Sequence, residues 1–214
     1  MIDCPWINRK ETIDRLSSNK LYQQKLAREC GLTIPHTRIS NDPGAVITQS
    51  KSFDGLLLKS LGCMTFGKDG KDFLYSERFR HEEVRKSVTA IRHCPVFAQE
   101  YVEKKYEYRV MVIGQRVLAC RIDSQASEAT KVDWRHYDFS RVEYTAVSLP
   151  KAVEQSLLKF MRASDLRYGA IDLIETPRGE FVFLEVNPSG QWGWIADLTE
   201  LPIPEAVAEM LACT

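Results

Sequence analysis

The 214-residue chain lacks an excess of charge of either sign, because 29 Lys and Arg balance 29 Asp and Glu. Proteins that bind nucleic acids through electrostatics usually carry a basic excess, so the balance argues against that class. No apolar run approaches the roughly 20 residues that span a bilayer, and the first residues contain no signal-peptide core. A hydrophobic fraction of 44% with 27% charged residues is typical of a globular protein. We therefore expect a soluble, cytoplasmic protein.

Clustered cysteines and histidines are also missing. The 6 cysteines are scattered singly, with no C-x-x-C pair, and the 4 histidines stand apart from one another. A zinc site or a disulfide framework needs closer spacing. We expect reduced thiols in a reducing compartment.

Periodicity and turn residues predict an α+β chain in three segments. Residues 1–18 show no clean periodicity and are predicted to be a connecting arm. Residues 19–102 are predicted to form an N-terminal lobe, with helices at 19–30, 43–51 and 82–91 and strands at 33–39, 55–59, 72–76 and 96–102. Ser18-Asn19 is predicted to cap the first of these helices, and Asn41-Asp42-Pro43 the second. Residues 103–214 are predicted to form a C-terminal lobe, with a hairpin that turns at Gly114-Gln115, a helix that Pro150 opens, a second hairpin, and a closing helix from Pro204. The Pro150 helix is predicted to have an apolar face made of Val153, Leu157, Phe160 and Met161. Residues 123–147 and 188–201 are predicted to be loops.

The second hairpin of the C-terminal lobe carries the sharpest chemical signal. If Glu175 pairs with Glu180 across the turn at 176–179, Asp172 lies opposite Phe183. Alternation along the strands then predicts a core face made of the other positions, which are Ile171, Leu173, Val182, Leu184 and Val186.

The same alternation places Asp172, Glu185 and Asn187 on one face of this hairpin. Carboxylate and amide oxygens are the ligands that Mg²⁺ prefers, and it commonly shares them with substrate phosphates. The pattern therefore predicts a magnesium site. The alternative is a solvated polar face, and a shift of one residue in register would separate the three side chains.

A glycine-rich loop in the first lobe is a second candidate. Lys59 ends an apolar strand, and Gly62, Gly67 and Gly70 follow it. Glycines let backbone amides approach phosphate oxygens, and a lysine adds a positive charge. The spacing matches neither common phosphate-loop pattern, so a plain hairpin loop stays open as the alternative.

A third candidate surrounds the change of lobe. The stretch Gln99-Glu100-Tyr101-Val102 leads through a charged bend to Glu107-Tyr108-Arg109. Arg109, Arg121 and Arg135 all fall near strand ends or polar loops, and together they are candidates for an anion clamp. Each of them alone is equally compatible with a surface position.

In this order, the motifs resemble those of an ATP-grasp enzyme. The set comprises Lys20, Leu57-Leu58-Lys59 before the glycine-rich loop, Gln99-Glu100-Tyr101-Val102, Glu107-x-Arg109, and Asp172 followed by Phe183-Leu184-Glu185-Val186-Asn187-Pro188. The stretches Ile122-Asp-Ser-Gln125, Val132-Asp-Trp-Arg135 and Asn187-Pro-Ser-Gly-Gln-Trp192 further resemble the ligases of graspetide (microviridin-type) pathways. Those ligases are related to enzymes that add glutamate to a ribosomal protein.

The resemblance implies a fold, an activity and a role for each matching residue. The fold is two α+β lobes that clasp ATP and Mg²⁺. The activity is ATP-dependent activation of a peptide carboxylate, followed by ester or amide formation. The implied nucleotide contacts are Lys20, Lys59, Gly62, Gly67, Gln99, Glu100, Tyr101, Val102 and Glu107. The implied phosphate and acyl-phosphate contacts are Arg109, Arg121 and Arg135, and the implied metal ligands are Asp172, Glu185 and Asn187.

One departure from the family leaves several readings open. Only the predicted arm, Met1 to Ser18, and Asn19 precede Lys20, so we expect the family's usual N-terminal domain to be absent. The partners expected are a peptide or protein with a carboxylate side chain, a separate N-terminal domain or partner chain, and a second copy in a homodimer. Alternatives to peptide maturation are glutamate or amino-acid ligation, a partner-dependent ATP-binding core, and a small-molecule kinase.

Overall fold

The computed structural model describes residues 6–53, 55–59, 65–66, 72–73, 77–136 and 138–212. By their contacts these residues form two compact units. The first contains the described residues of 1–34, 104–128 and 137–214, and the second those of 35–103 and 129–136. The predicted division into an arm (1–18), an N-terminal lobe (19–102) and a C-terminal lobe (103–214) stays a prediction.

The first unit contains a five-stranded antiparallel sheet and most of the helices. In chain order its helices are α1 (Lys10–Ser18), α2 (Lys20–Glu29), α6 (Lys151–Ala163), α7 (Gly193–Thr199) and α8 (Ile203–Ala212). Its strands are β7 (Tyr106–Ile113), β8 (Arg116–Ile122), β9 (Tyr144–Val147), β10 (Tyr168–Glu175) and β11 (Phe181–Asn187). The strands lie in the order β11-β10-β7-β8-β9, so β10 and β7 are central. A short 3-10 helix covers Ser124–Ala126.

The core of this unit lies on one face of the sheet, against α6. The predicted apolar stripe of α6 is confirmed, because Leu157, Phe160 and Met161 are buried there and Val153 packs beside them. Residues of β7, β10 and β11 complete the core, namely Tyr108, Val110, Val112, Ile171, Leu173, Phe183 and Val186. The opposite face of these strands is therefore left to the intervening residues.

The two N-terminal helices belong to this unit. Helix α1 occupies residues predicted to be an arm, and it buries Thr12 and Leu16. The predicted cap of α2 is confirmed, since the Asn19 side chain accepts a hydrogen bond of 2.9 Å from the Tyr22 amide. Buried Gln23 ties α2 to β11 by donating to the Val186 carbonyl (3.0 Å) and accepting from the Val186 amide (2.8 Å).

The second unit is smaller and has a four-stranded antiparallel sheet. Its strands are β1 (Thr37–Ser40), β2 (Leu56–Lys59), β5 (Glu77–Phe79) and β6 (Val96–Glu100), in the order β1-β6-β2-β5. A separate two-stranded antiparallel sheet pairs β3 (Thr65–Phe66) with β4 (Asp72–Phe73). The helices are α3 (Pro43–Ser52), α4 (His81–Lys86) and α5 (Val88–His93), and a 3-10 turn covers Trp134–His136. Val46, Leu56, Val84, Ile91 and Ala98 form its core.

Several local predictions were wrong. The helix predicted over 82–91 is two helices that meet at Ser87. The segment predicted as loop over 123–147 contains β9, and the one over 188–201 contains α7. Both elements are short, so few residues were available to show a period. Among the described residues, no helix combines the length and apolar character needed to cross a membrane.

Candidate functional site

A row of charged residues crosses three neighbouring strands on the face away from α6. Arg109 of β7 pairs in register with Asp172 of β10, and Asp172 pairs on its other side with Glu185 of β11. Residues directly opposite each other in antiparallel strands project to the same side. The sheet therefore brings a guanidinium and two carboxylates together from positions far apart in sequence.

The register that creates this row differs from the predicted one. Glu175 pairs with Phe181 rather than Glu180, and a bulge lies between Asp172 and Leu173 in the pairing of β10 with β11. A bulge places an extra residue in one strand and changes which residues face each other beyond it. Asp172 was therefore wrongly predicted to lie opposite Phe183, although its predicted face with Glu185 and Asn187 is kept.

The bulge also changes the predicted core face of the hairpin. Phe183 pairs with Leu173 and is fully buried in the core beside α6. Val182, predicted to be in that core, instead pairs with Ile174 and shares its side of the sheet. The bulge shifts the alternation of β11 between Phe183 and Glu185. Phe183 can therefore face the core while Glu185 faces the opposite side of the sheet.

Each carboxylate in the row has a cationic neighbour. Arg109 Nη1 lies 3.0 Å from Asp172 Oδ1 and 3.2 Å from Oδ2, and both residues are buried. Lys20 Nζ, at the start of α2, lies 2.7 Å from Glu185 Oε2, where both side chains are partly exposed. Like charges directly opposite each other across strands repel, and these cations offset that repulsion.

The donor atoms of this face suit a hard cation. Asp172, Glu185 and Asn187 supply carboxylate and amide oxygens, which is the ligand chemistry of Mg²⁺. The Asn187 side-chain oxygen accepts a 3.0 Å hydrogen bond from the Ser189 amide, which fixes the orientation of its amide group. Within the described ranges, no three His, Cys, Asp or Glu residues cluster closely enough to hold a metal. A metal here would consequently need the Asn187 oxygen as well as the carboxylates.

The loop after β11 folds onto this face next to Arg109. A Cβ atom added to Gly190 would lie 2.4 Å from Ala170 Cβ and 2.7 Å from Arg109 Nη2, so only glycine fits. Arg109 Nη2 donates to the Gln191 carbonyl at 3.5 Å, and the Tyr168 hydroxyl donates to the Gly190 carbonyl. Gly190 and Gln191 belong to the motif from Asn187 to Trp192, for which no role was predicted beyond the family resemblance.

Glu107 lies on the same strand as Arg109, two residues earlier and on the same face. It is buried, and its Oε1 accepts a hydrogen bond of 2.7 Å from Lys104 Nζ, which is also buried. The ion pair compensates the charge that each group would otherwise bring into the interior. Lys104 was not singled out by the sequence analysis.

Within the first unit, Arg121 does not join Arg109 as the predicted arginine clamp requires. Arg121 pairs with Tyr108, so it projects to the core side of the sheet, opposite to Arg109. There its guanidinium lies 4.6 Å from the centre of the Tyr106 ring. Arg135 belongs to the second unit, where its Nε donates to Asp133 Oδ1 at 2.8 Å. Of the two arginines in the first unit, Arg109 therefore joins the row with Asp172 and Glu185, and the role of Arg135 stays a prediction.

Predicted nucleotide-binding residues of the second unit lie on and after its central strands. Lys59 Nζ, at the end of β2, donates to Gln99 Oε1 of β6 at 3.0 Å. Glu100 accepts a bond of 3.0 Å from the His36 amide, and the Tyr101 amide donates to the Gly55 carbonyl at 3.2 Å. Val102 follows and is partly buried. Gly62 and Gly67 lie outside the described residues.

Known protein families and solved structures resemble this chain over most of its length. The RimK-like ATP-grasp domain matches residues 14–211. A RiPP-associated ATP-grasp ligase from Chryseobacterium gregarium, solved in complex with ADP and a leader and core peptide, is 29% identical with a TM-score of 0.89. That match covers 99% of this chain and 64% of the other. No curated protein gave a match.

Two further solved structures come from Microcystis aeruginosa MRC. The macrocyclase MdnC, bound with the precursor peptide MdnA, is 31% identical with a TM-score of 0.82, covering 97% of this chain and 64% of that one. The macrocyclase MdnB is 30% identical with a TM-score of 0.75, covering 99% and 64%. This chain thus spans 64% of the length of each of these proteins. Both the expected fold and the expected resemblance are confirmed: the chain has the ATP-grasp fold and belongs to the family of the RimK-like ATP-grasp domain.

Proposed function

We propose that this chain is the ATP-grasp core of an ADP-forming carboxylate ligase that modifies a peptide. The observation that carries the proposal is the row of Arg109, Asp172 and Glu185, with Lys20 on Glu185. The row combines phosphate-binding cations with oxygen donors for a divalent ion on one face of a sheet. Similarity to solved peptide ligases and macrocyclases supports a peptide as the substrate. The ATP requirement favours the cytoplasm as the site of the reaction.

The first step of the proposed reaction is transfer of a phosphoryl group, which carries several negative charges. The protein contributes to such a step mainly by aligning the reactants and neutralising charge, and less by forming covalent bonds itself. An oxygen of the peptide carboxylate bonds to the γ-phosphorus of ATP while the bond to ADP breaks. A hydroxyl or amine of the substrate then attacks the acyl carbon, loses its proton to solvent and displaces phosphate. Peptide maturation of this kind closes an ester or amide ring between two side chains of one peptide.

The cations are proposed to bind and orient the phosphates. Arg109 is proposed to contact the transferring phosphoryl group, since its guanidinium lies between the Asp172 carboxylate and the Gln191 carbonyl. Lys20 and Lys59 are proposed to contact the nucleotide phosphates, and Arg135 the developing acyl phosphate. Arg121 is left out of this assignment because it projects from the opposite face of the sheet.

The remaining predicted residues are proposed to hold the nucleotide and the metal. The segment Gln99 to Val102 would bind adenine through its backbone, and Glu107 would bind the ribose. Gly62 and Gly67 stay predictions for the phosphates. Asp172, Glu185 and Asn187 would hold Mg²⁺. When bound there, Mg²⁺ would neutralise phosphate charge and align the group being transferred.

Calorimetric titration with ATP, with and without Mg²⁺, tests the proposed site. Wild type is expected to bind ATP with a marked dependence on Mg²⁺, and Lys59→Ala and Glu185→Gln are each expected to weaken binding. Glu209→Gln is a matched control, because Glu209 pairs with Arg116 at 2.5 Å between exposed side chains of the same unit. If a folded wild-type chain does not bind ATP, it does not act as a self-sufficient core. Equal loss in the control would show an unspecific effect.

The product distinguishes the chemical alternatives. The chain is incubated with MgATP and a set of synthetic peptides, each with Asp or Glu and with Ser, Thr or Lys. Loss of one water from a peptide, with equal amounts of ADP and phosphate, would support ring formation. A gain of glutamate, when glutamate is supplied, would support amino-acid ligation. ADP without free phosphate would identify a kinase, and ATP binding without any product would indicate a partner-dependent core.

A further inference from the structure

The loop that follows β11 is held against the row of charged residues from two sides. Arg109 Nη2 donates to the Gln191 carbonyl, and the Tyr168 hydroxyl donates to the preceding carbonyl, that of Gly190. Ala170 and Arg109 then leave no room for a side chain at Gly190. The position of the loop and the position of the Arg109 guanidinium are therefore coupled by contact.

Tyr168 lies on the same face of β10 as Ala170 and Asp172. It contacts the loop at Gly190, whereas Arg109 contacts the loop at Gln191. Its ring forms part of the wall of a pocket of about 510 Å³, with Pro188, Trp192 and Met210. Its partly buried position favours the protonated hydroxyl, which is the form that donates a hydrogen bond. Tyr168 is thus placed to fix the loop whose next carbonyl, that of Gln191, accepts from Arg109.

We infer that Tyr168 is a positioning residue, whose hydroxyl holds Gly190 and Gln191 so that Arg109 keeps its orientation toward Asp172. The inference rests on the proposed function for its effect on turnover. An orienting hydrogen bond affects rate because a guanidinium that is misplaced stabilises the transferring phosphoryl group less well. Residues that bind the nucleotide elsewhere would be unaffected, so ATP affinity should stay nearly constant.

Tyr168→Phe is the test, because phenylalanine keeps the ring in the pocket wall and removes only the hydroxyl. Tyr108→Phe is the matched control. The Tyr108 hydroxyl also makes a partly buried hydrogen bond, to Glu175, but it lies on the opposite face of the sheet. Both variants lose one tyrosine hydrogen bond, so a merely structural effect should be similar in the two.

The first measurement is hydrogen exchange of the loop amides, which needs no turnover. The Ser189 and Gly190 amides donate to Asn187, at 3.0 Å and 3.2 Å. In Tyr168→Phe these amides are expected to exchange about tenfold faster. The reason is that the loop opens more often when it loses the stabilisation of roughly one hydrogen bond. The control is expected to leave their exchange unchanged. Unchanged exchange in Tyr168→Phe would overturn the inference.

The second measurement is phosphate release from MgATP with the peptide set described above. Tyr168→Phe is expected to lower kcat about tenfold, with the Kd for MgATP within about threefold of wild type. Faster exchange with wild-type kcat would also overturn the inference, and so would an equal fall in kcat for Tyr108→Phe. If wild type itself releases no phosphate, the proposed function fails separately, and the exchange result alone decides whether Tyr168 fixes the loop.

Discussion

The buried ion pair of Arg109 and Asp172 makes the most direct physical prediction of the structure. Their side chains are 8% and 13% exposed, and two contacts of 3.0 Å and 3.2 Å join them. Arg109→Met keeps an unbranched stem of similar length and removes the guanidinium. The Asp172 carboxylate then stays buried and opposite Glu185 without that cation. Removal of one partner from a buried pair costs about 3–5 kcal/mol, which is the expected loss in unfolding free energy.

The second ion pair of the row supplies a matched comparison. Lys20 and Glu185 approach to 2.7 Å, but their side chains are 35% and 27% exposed. Water screens the charges of such a pair, so Lys20→Met is expected to cost at most about 1 kcal/mol. Both substitutions replace a cation with methionine in contact with a carboxylate of the same face. The difference between them therefore isolates the effect of burial.

Equilibrium unfolding in urea at pH 7, followed by circular dichroism, measures both losses. Arg109→Met is expected to lie at least about 2 kcal/mol below Lys20→Met in unfolding free energy. The reasoning is refuted if Arg109→Met stays within about 1 kcal/mol of wild type or if the two substitutions cost the same. Either result would mean that the Asp172 carboxylate does not depend on the guanidinium for its stability in the sheet.

Three further predictions concern the same face and its supports. Glu185→Gln and Asp172→Asn should each weaken Mg²⁺-dependent ATP binding in calorimetry and slow phosphate release about a hundredfold, whereas unaltered rates would exclude the metal assignment. Burial raises the pKa of Tyr168 from 10.0 to about 12. The folded state then binds more protons than the unfolded state, so unfolding free energy should fall by up to about 2 kcal/mol as pH rises between those values. Urea titrations at alkaline pH should show this slope in wild type and a shallower one in Tyr168→Phe. Gln23→Leu leaves the amide and carbonyl of Val186 without their partner and should cost about 2–3 kcal/mol in urea unfolding, while a loss below about 0.5 kcal/mol would show that the backbone finds other partners.

Elements with a strong local signal were predicted correctly. The hairpin around Gly114-Gln115 is present as β7 and β8, and Gly114 has the positive φ of 60° that such a turn favours. The Asp42 side chain caps α3 as expected, accepting a 2.9 Å bond from the Gly44 amide. A cap, a turn and an apolar stripe each depend on residues a few positions apart, so one sequence is sufficient to show them.

Pairing between strands was not predictable to the same degree. The bulge beside Asp172 exchanged the faces of Val182 and Phe183, and alternation alone gave no sign of it. The sheet also sends Arg121 to the face opposite Arg109, because the register of β8 against β7 decides which side each residue takes. A count of arginines near strand ends carries no information about that register.

The motifs that resemble the family, the order of the principal elements and the acidic and basic candidates could all be read from the residues, because they depend on residue types and short-range spacing. The tertiary structure alone establishes which of those candidates meet. It joined Arg109, Asp172 and Glu185 across three strands, and it placed Tyr168 and Gly190 behind Arg109. Such contacts arise from strand register and loop packing between residues distant in sequence, and these are set when the whole core closes.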